Sequence, residues 1–220
     1  DRLLDMGFAH DVRKLLRKMP TQRQTALFSA TLSWEVRDLA SRFTRNAVSI
    51  NIDPEQQNVD SVEQLFVEVL DEDKVKALEE LLRRAEFDHV LVFRHTKRGV
   101  DDLIRTLQRR GHKAEALHGD LSQKERERTL EAFKTGDVPI VVATNVAARG
   151  LHIEEISHVV NYDLPEDADT FTHRVGRTGR MGKSGVAVTF VGEWDHDEFD
   201  KLRAKANVPF RRDVLDLYGR

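Results

Sequence analysis

The chain has 220 residues, of which 40% are hydrophobic and 33% are charged. It can therefore bury a substantial core beneath a solvated surface, and this composition excludes disorder as its default state. Its 35 Lys and Arg residues against 38 Asp and Glu residues give a net charge of −3, which argues against indiscriminate electrostatic binding to nucleic acid. The absence of cysteine excludes disulfides and cysteine-ligated metal sites, and we expect a protein of a reducing compartment, the cytoplasm.

Hydrophobic periodicity in the first 52 residues predicts a helix at 10–19, a strand at 25–28, a helix at 33–43 and a strand at 47–50. Two strands are too few for a stable open sheet, and the chain does not begin with Met. We therefore expect residues 1–52 to be the carboxyl-terminal piece of a first domain, whose missing strands would cover the exposed edges.

A polar stretch that contains a proline and no apolar residue follows, from Asp53 to Asn58. This composition is typical of a linker. We predict a linker over residues 53–61 and a second domain over residues 62–220. The longest apolar stretch, near residues 138–143, is far shorter than the roughly 20 residues of a membrane helix, so we expect no membrane span.

Residues 62–220 alternate between apolar strands and amphipathic helices. Uniformly apolar runs such as Ile140-Val141-Val142 indicate strands that are buried on both faces. The pattern predicts an α/β fold of three layers, with a mainly parallel sheet between helices and ligands at the carboxyl ends of the strands. The predicted strands cover residues 62–70, 90–93, 114–117, 140–143, 158–160 and 186–191, and the predicted helices cover residues 74–84, 100–109, 124–133, 168–174 and 195–206.

The most informative motif is His173-Arg174-Val175-Gly176-Arg177-Thr178-Gly179-Arg180. Arg177 and Arg180 could extend from one face into a cleft, where guanidinium groups suit phosphate oxygens. The alternative is a solvated basic helix end, in which cations complement the helix dipole. The two glycines favour the phosphate hypothesis, because glycine weakens a helix and permits close backbone approach.

Three other loops follow predicted strands. The loop that contains Gly150 is rich in small residues and leaves backbone N–H groups free to meet a phosphate or ribose, although an ordinary tight turn explains it equally well. Gln123 and Arg126 share the amino end of a helix, a natural place for phosphate. His118 by itself is more often a structural histidine, and Thr96 could face the same surface.

In the first segment, Ser29 and Thr31 flank an alanine. Two hydroxyls in this arrangement can relay hydrogen bonds between elements, but capping of a helix is the commoner role of such residues. The chain contains no Gly-x-x-x-x-Gly-Lys-Ser/Thr loop, no Gly-x-Ser-x-Gly elbow and no His-Glu-x-x-His motif. Phosphate-facing arginines without a phosphate loop indicate half of an active site.

Taken together and in this order, these motifs closely resemble the carboxyl-terminal half of the DEAD-box ATP-dependent RNA helicases. The first eight residues resemble the sequence at and after the acidic box of that family, with Asp1 as its final aspartate, and Tyr162-Asp163-Leu164-Pro165 resembles its coupling segment. The resemblance implies two RecA-like domains, with residues 1–52 in the first and residues 62–220 as the second.

The resemblance also implies residue roles. Arg177 and Arg180 are expected to be arginine fingers on the γ-phosphate of ATP, and Gly150 and His152 are expected to contact the nucleotide. The catalytic residues that it implies are Asp1, Ser29, Thr31, His173, Arg177 and Arg180. The RNA contacts that it implies are Thr96, His118, Gly119, Asp120, Gln123, Arg126, Thr144 and Asn145.

Two positions depart from the family pattern. Asn145 stands where the family commonly has an aspartate and keeps a polar group, while His152 stands where an aspartate usually meets the ATP ribose. A neutral imidazole can still bond a hydroxyl, but it lacks the charge of a carboxylate. We therefore expect weaker nucleotide binding than in a His152→Asp variant.

The resemblance implies that this chain is inactive by itself. The family's adenine-reading glutamine, its phosphate loop and most of its acidic box precede Asp1, so ATP and Mg²⁺ would be held mainly by the missing amino-terminal RecA-like domain, and no metal site is expected here. In the complete enzyme the two domains would clamp ATP and the RNA backbone and locally unwind short duplexes.

One alternative function is an RNA-binding or partner-docking module that has lost ATP coupling. Another alternative is an enzyme that binds a phosphorylated metabolite at the same strand ends. Such an enzyme would need its own phosphate loop and an acid–base pair, and the sequence shows neither motif.

Overall fold

The computed structural model describes residues 2–5, 7–29, 34–50, 62–84, 87–148, 156–179 and 184–218. The chain divides into two compact units, Asp1–Asp53 and Pro54–Arg220. The boundary between the units falls at the start of the predicted linker, and residues 53–61 themselves lie outside the described ranges.

The described part of the first unit contains α1 (Arg2–Asp5), α2 (Ala9–Lys18) and α3 (Trp34–Phe43). The two longer helices match the predicted ones. The strands predicted over residues 25–28 and 47–50 are wrong, because both segments have irregular backbone.

The two mispredicted segments have no partner strand among the described residues of the first unit. A strand is held by hydrogen bonds to a neighbouring strand, and an apolar sequence alone does not supply that neighbour. Phe28, Val48 and Ile50 are 93%, 84% and 80% exposed, respectively. The apolar residues that suggested buried strands therefore lie at the surface of this unit.

The second unit alternates strands and helices, and each predicted element is present with bounds that differ by at most three residues. The strands are β1 (Val62–Glu68), β2 (Val90–Arg94), β3 (Ala114–Leu117), β4 (Ile140–Thr144), β5 (His158–Asn161), β6 (Gly185–Val191) and β7 (Arg211–Arg212). The helices are α4 (Lys74–Leu82), α5 (Lys97–Arg109), α6 (Gln123–Lys134), α7 (Asn145–Ala148), α8 (Ala168–Val175) and α9 (His196–Ala206), with a 3₁₀ turn at Asp71–Asp73. None of the helices in the described ranges is long and apolar enough to cross a membrane.

The seven strands form one sheet in the order β3-β4-β2-β5-β6-β1-β7, and every neighbouring pair is parallel. The predicted parallel sheet is confirmed. Apolar side chains alternate between its two faces and form two cores. Val90 and Val92 belong to the core that α4 and α5 cover, whereas Leu91 and Phe93 belong to the core that α6, α8 and α9 cover.

The strand order places β2 between β4 and β5. From β2 the chain moves to β3 and β4 on one side, and it then passes β2 again to reach β5 and β6 on the other. Such a reversal leaves a crevice at the carboxyl ends of the strands. The register pairs Arg94 with Thr144 and Phe93 with Asn161, so the ends of β4, β2 and β5 lie side by side.

Candidate functional site

The carboxyl ends of β2, β4 and β5 meet at one buried arginine, Arg174 of α8, which is 1% exposed. Its Nε donates to Asn145 Oδ1 at 2.7 Å. Its Nη1 donates to the Asp163 carbonyl oxygen at 2.7 Å and to Asn161 Oδ1 at 3.2 Å. The guanidinium carbon lies 5.1 Å from the centre of the Phe93 ring, within the range of a cation–π contact. Burial lowers the pKa of Arg174 to about 10, so the group stays charged at neutral pH.

Helix α8 positions the predicted arginine finger. Asp167 caps the helix, with its Oδ1 accepting from a backbone N–H of the first turn at 2.6 Å. Arg177 follows the end of the helix, is half-buried, and donates from Nε to the His173 carbonyl oxygen at 3.0 Å. His173, Arg174 and Arg177 line a small cavity together with Asn145. The structure therefore brings three of the predicted site residues, Asn145, His173 and Arg177, to the same cavity.

The end of β2 presents Thr96, which is exposed and caps α5 by accepting from Gly99 N–H at 3.0 Å. The Asp163 carboxylate holds this loop from the next strand. Its Oδ2 lies 2.8 Å from Arg94 Nε and also accepts from the His95 backbone N–H at 2.8 Å. Thr96 therefore acts as a helix cap and stands at the same edge of the sheet as Arg174.

The end of β3 carries the predicted His118-Gly119-Asp120 motif. His118 is buried, and its Nε2 lies 2.9 Å from Asp101 Oδ1. Asp120 is exposed and paired with Lys97, whose hydrogen bond holds the pKa of that carboxyl below its usual range. His118 is thus hydrogen-bonded within the fold, while Gly119 and Asp120 face solvent.

Helix α6 follows this loop and begins with the expected capping box. Ser122 and Glu125 cap each other's backbone N–H groups, and the bond from Ser122 lowers the pKa of Glu125. Gln123 is exposed in the first turn, whereas Arg126 reaches across and donates from Nη2 to the Ala147 carbonyl oxygen at 2.6 Å. Arg126 therefore joins α6 to the loop after β4.

The loop after β4 is described only in part. Thr144 is 8% exposed, and Asn145 begins the short helix α7. In the first unit, Ser29 is half-buried. The predicted site residues that lie outside the described residues are Asp1, Thr31, Gly150, His152 and Arg180.

Sequence reasoning missed Arg174, although it lies inside the motif that was singled out. The signal was available in the spacing along α8. Arg174 and Val175 lie three and four residues after Phe171, so they share a helix face with it, and all three are buried. A charged residue on an apolar helix face needs buried polar partners, and here they come from the ends of the strands.

The protein-family model of the helicase conserved C-terminal domain matches residues 73–182 of this chain. The chain belongs to this helicase family. The ATP-dependent RNA helicase CshA of Listeria monocytogenes is 44% identical over 191 residues, which cover 87% of this chain and 37% of that relative. The ATP-dependent RNA helicase RhlB of Klebsiella pneumoniae is 45% identical over 195 residues, which cover 88% of this chain and 46% of that relative. The chain therefore spans less than half the length of these curated relatives.

The structure of S. cerevisiae Dbp5 bound to RNA and ADP BeF3 matches this chain with a TM-score of 0.83 and 33% identity, over 94% of this chain and 55% of that chain. Together with the helicase relatives, this match confirms the resemblance to the carboxyl-terminal part of DEAD-box RNA helicases. It also confirms the RecA-like fold of the second unit.

Proposed function

We propose that this chain forms the carboxyl-terminal half of an ATP-dependent RNA helicase, which clamps ATP and an RNA strand between two RecA-like domains. The observation that supports this proposal most strongly is the junction around Arg174. It joins the strand ends that carry the predicted RNA contacts to helix α8, which directly precedes the predicted arginine finger.

The proposed RNA contacts come from residues at the ends of β2, β3 and β4. Thr96, Gly119, Asp120 and Gln123 are exposed there, and the amino ends of α5 and α6 begin at the same edge of the sheet. Helix amino ends and exposed polar groups bind phosphate and sugar oxygens rather than base edges. We therefore expect RNA binding that is largely independent of base sequence. Because the net charge of the chain is −3, these individual polar groups, rather than an overall positive charge, would bind the RNA.

The proposed role of Arg177, with Arg180, is to stabilise negative charge on the transferred phosphoryl group of ATP. Asp1, Ser29 and Thr31 would act from the first-domain side. Within the described ranges, no group of three or more His, Asp or Glu side chains is placed to hold a metal ion. We propose that Mg²⁺ binds together with ATP on acidic residues of the first RecA-like domain, and that the enzyme is cytoplasmic.

The test of this function is ATP hydrolysis by the full-length protein with and without single-stranded RNA of mixed sequence. We expect RNA to stimulate turnover, and RNAs of equal length but different sequence to stimulate it alike. If the protein binds RNA but does not hydrolyse ATP, the helicase proposal is wrong. The alternative, an RNA-binding module in which His152 marks the loss of ATP coupling, would then replace it.

The His152→Asp variant of the full-length protein should bind nucleotide about five- to tenfold more tightly, because a carboxylate accepts a stronger hydrogen bond from a ribose hydroxyl than a neutral imidazole does. Titration of a fluorescent ADP analogue measures this change. His196→Asp, at an exposed position on α9, is the matched control and should leave the Kd unchanged. An unchanged Kd for His152→Asp would show that His152 does not face the ribose.

A further inference from the structure

We propose that Arg174 is a positioning residue, which couples the RNA-facing ends of β2 and β4 to the arginine finger Arg177. The proposal rests on the function proposed above and adds a device that transmits RNA binding to the nucleotide side. Arg174 itself is 1% exposed and would touch neither RNA nor ATP.

Arg174 contacts three strand ends at once. Its guanidinium bonds Asn145 at the end of β4 and the Asp163 carbonyl oxygen just after β5, and it lies over the ring of Phe93 in β2. The Asp163 carboxylate in turn holds the backbone of His95, next to Thr96. Two residues therefore connect the strand ends that carry Thr96 and Asn145 to the single helix α8.

The contacts of Arg174 depend on geometry rather than on ion pairing. The acceptors that bond it are amide or carbonyl oxygens of Asn145, Asn161 and Asp163, and none of these oxygens carries a formal charge. Nη2 has no hydrogen-bond partner among the described residues. A planar guanidinium can span acceptors on two sides, whereas the single ammonium of lysine cannot. The charge alone should therefore not preserve the junction.

The path from Arg174 to the proposed arginine finger Arg177 is short. Arg177 follows three residues later, and its Nε bonds the carbonyl oxygen of His173, the residue before Arg174. A shift of Asn145 on RNA binding would move the guanidinium, the last turn of α8 and Arg177 together. Displacement of a catalytic group by about 1 Å can cost on the order of 100-fold in rate.

The test compares Arg174→Lys with the unaltered full-length protein in steady-state ATP hydrolysis. We expect the RNA-stimulated kcat to fall about 10- to 100-fold, while the KM for ATP and the Kd for RNA change by less than about twofold. Asn145→Ala removes the oxygen that accepts from Arg174 and should lose the coupling, measured with RNA at saturation. Because Asn145 acts in this junction through its bond to Arg174, the Asn145→Ala, Arg174→Lys double variant should lower the RNA-stimulated kcat at saturating RNA no further than Arg174→Lys alone does.

The matched control for lost stability is Asp73→Asn. Asp73 is also buried, and its partners are Lys76 of α4 and Tyr218. We expect this variant to lower the unfolding temperature without changing the RNA-stimulated kcat. If Arg174→Lys behaves as Asp73→Asn does, or loses activity only through weaker RNA or ATP binding, the positioning role is wrong. If the unaltered protein shows no RNA-stimulated turnover, the proposed function fails instead.

Discussion

Replacement of Arg177 by alanine should lower RNA-stimulated ATP hydrolysis by the full-length protein by about three to five orders of magnitude, the range in which arginine fingers contribute to phosphoryl transfer. The reason is electrostatic: in the proposed role, the guanidinium would neutralise charge that develops on the γ-phosphate oxygens only as the transition state forms. Single-turnover hydrolysis with RNA at saturation measures this loss, and the KM for ATP should change far less than kcat.

Two controls separate a catalytic role of Arg177 from a structural one. Arg177→Lys keeps the charge but not the forked geometry and should recover only part of the activity. Arg83→Ala removes an exposed arginine just after the end of α4, where its partner is Glu80, and should leave turnover unchanged. If Arg177→Ala retains turnover within about tenfold of the unaltered protein, Arg177 is not the finger, since a finger contributes far more.

Most of the second unit could be predicted from its sequence because its strands are buried on both faces and its helices on one. Val141 and Val142, for example, are fully buried on opposite faces, as their uniform apolar run implied. The strand β7 could not be predicted, since it is only two residues long. Arg211 and Arg212 join the sheet beside β1, where they pair with Glu63 and Glu68, and no periodicity reveals such a contact.

The candidate site could be located but not assembled from the sequence. The rule that ligands bind at the carboxyl ends of parallel strands pointed to the loops after β2, β3 and β4, and the structure joins the ends of β2, β4 and β5 around Arg174. Which side chains turn inward is decided by tertiary contacts. His118 faces Asp101, and Arg174 faces Asn145 across 29 positions of the chain. Only the fold brings such partners together.

Substitution of Gly185 by alanine should lower the unfolding temperature of the chain by about 3 to 10 °C, the effect of an overpacked interior in a domain of this size. A Cβ at this position would lie 2.3 Å from Thr178 Oγ1 and 2.6 Å from the Gly179 backbone nitrogen. Thr178 is buried and cannot yield easily, because its hydroxyl donates to the Ile156 carbonyl oxygen at 2.6 Å. Thermal unfolding followed by circular dichroism measures the change.

The matched control is Gly119→Ala, whose Cβ would meet only the Lys97 side chain at 3.6 Å, an ordinary contact, and whose unfolding temperature should not change. Equal unfolding temperatures for the two variants would show that the loop at Thr178 accommodates a methyl group without strain. The clash at Gly185 pushes on the two residues that directly follow Arg177. In the full-length protein, Gly185→Ala should therefore also reduce RNA-stimulated turnover at temperatures below the unfolding transition, because the start of β6 packs against Thr178 and Gly179, which directly follow the proposed arginine finger Arg177.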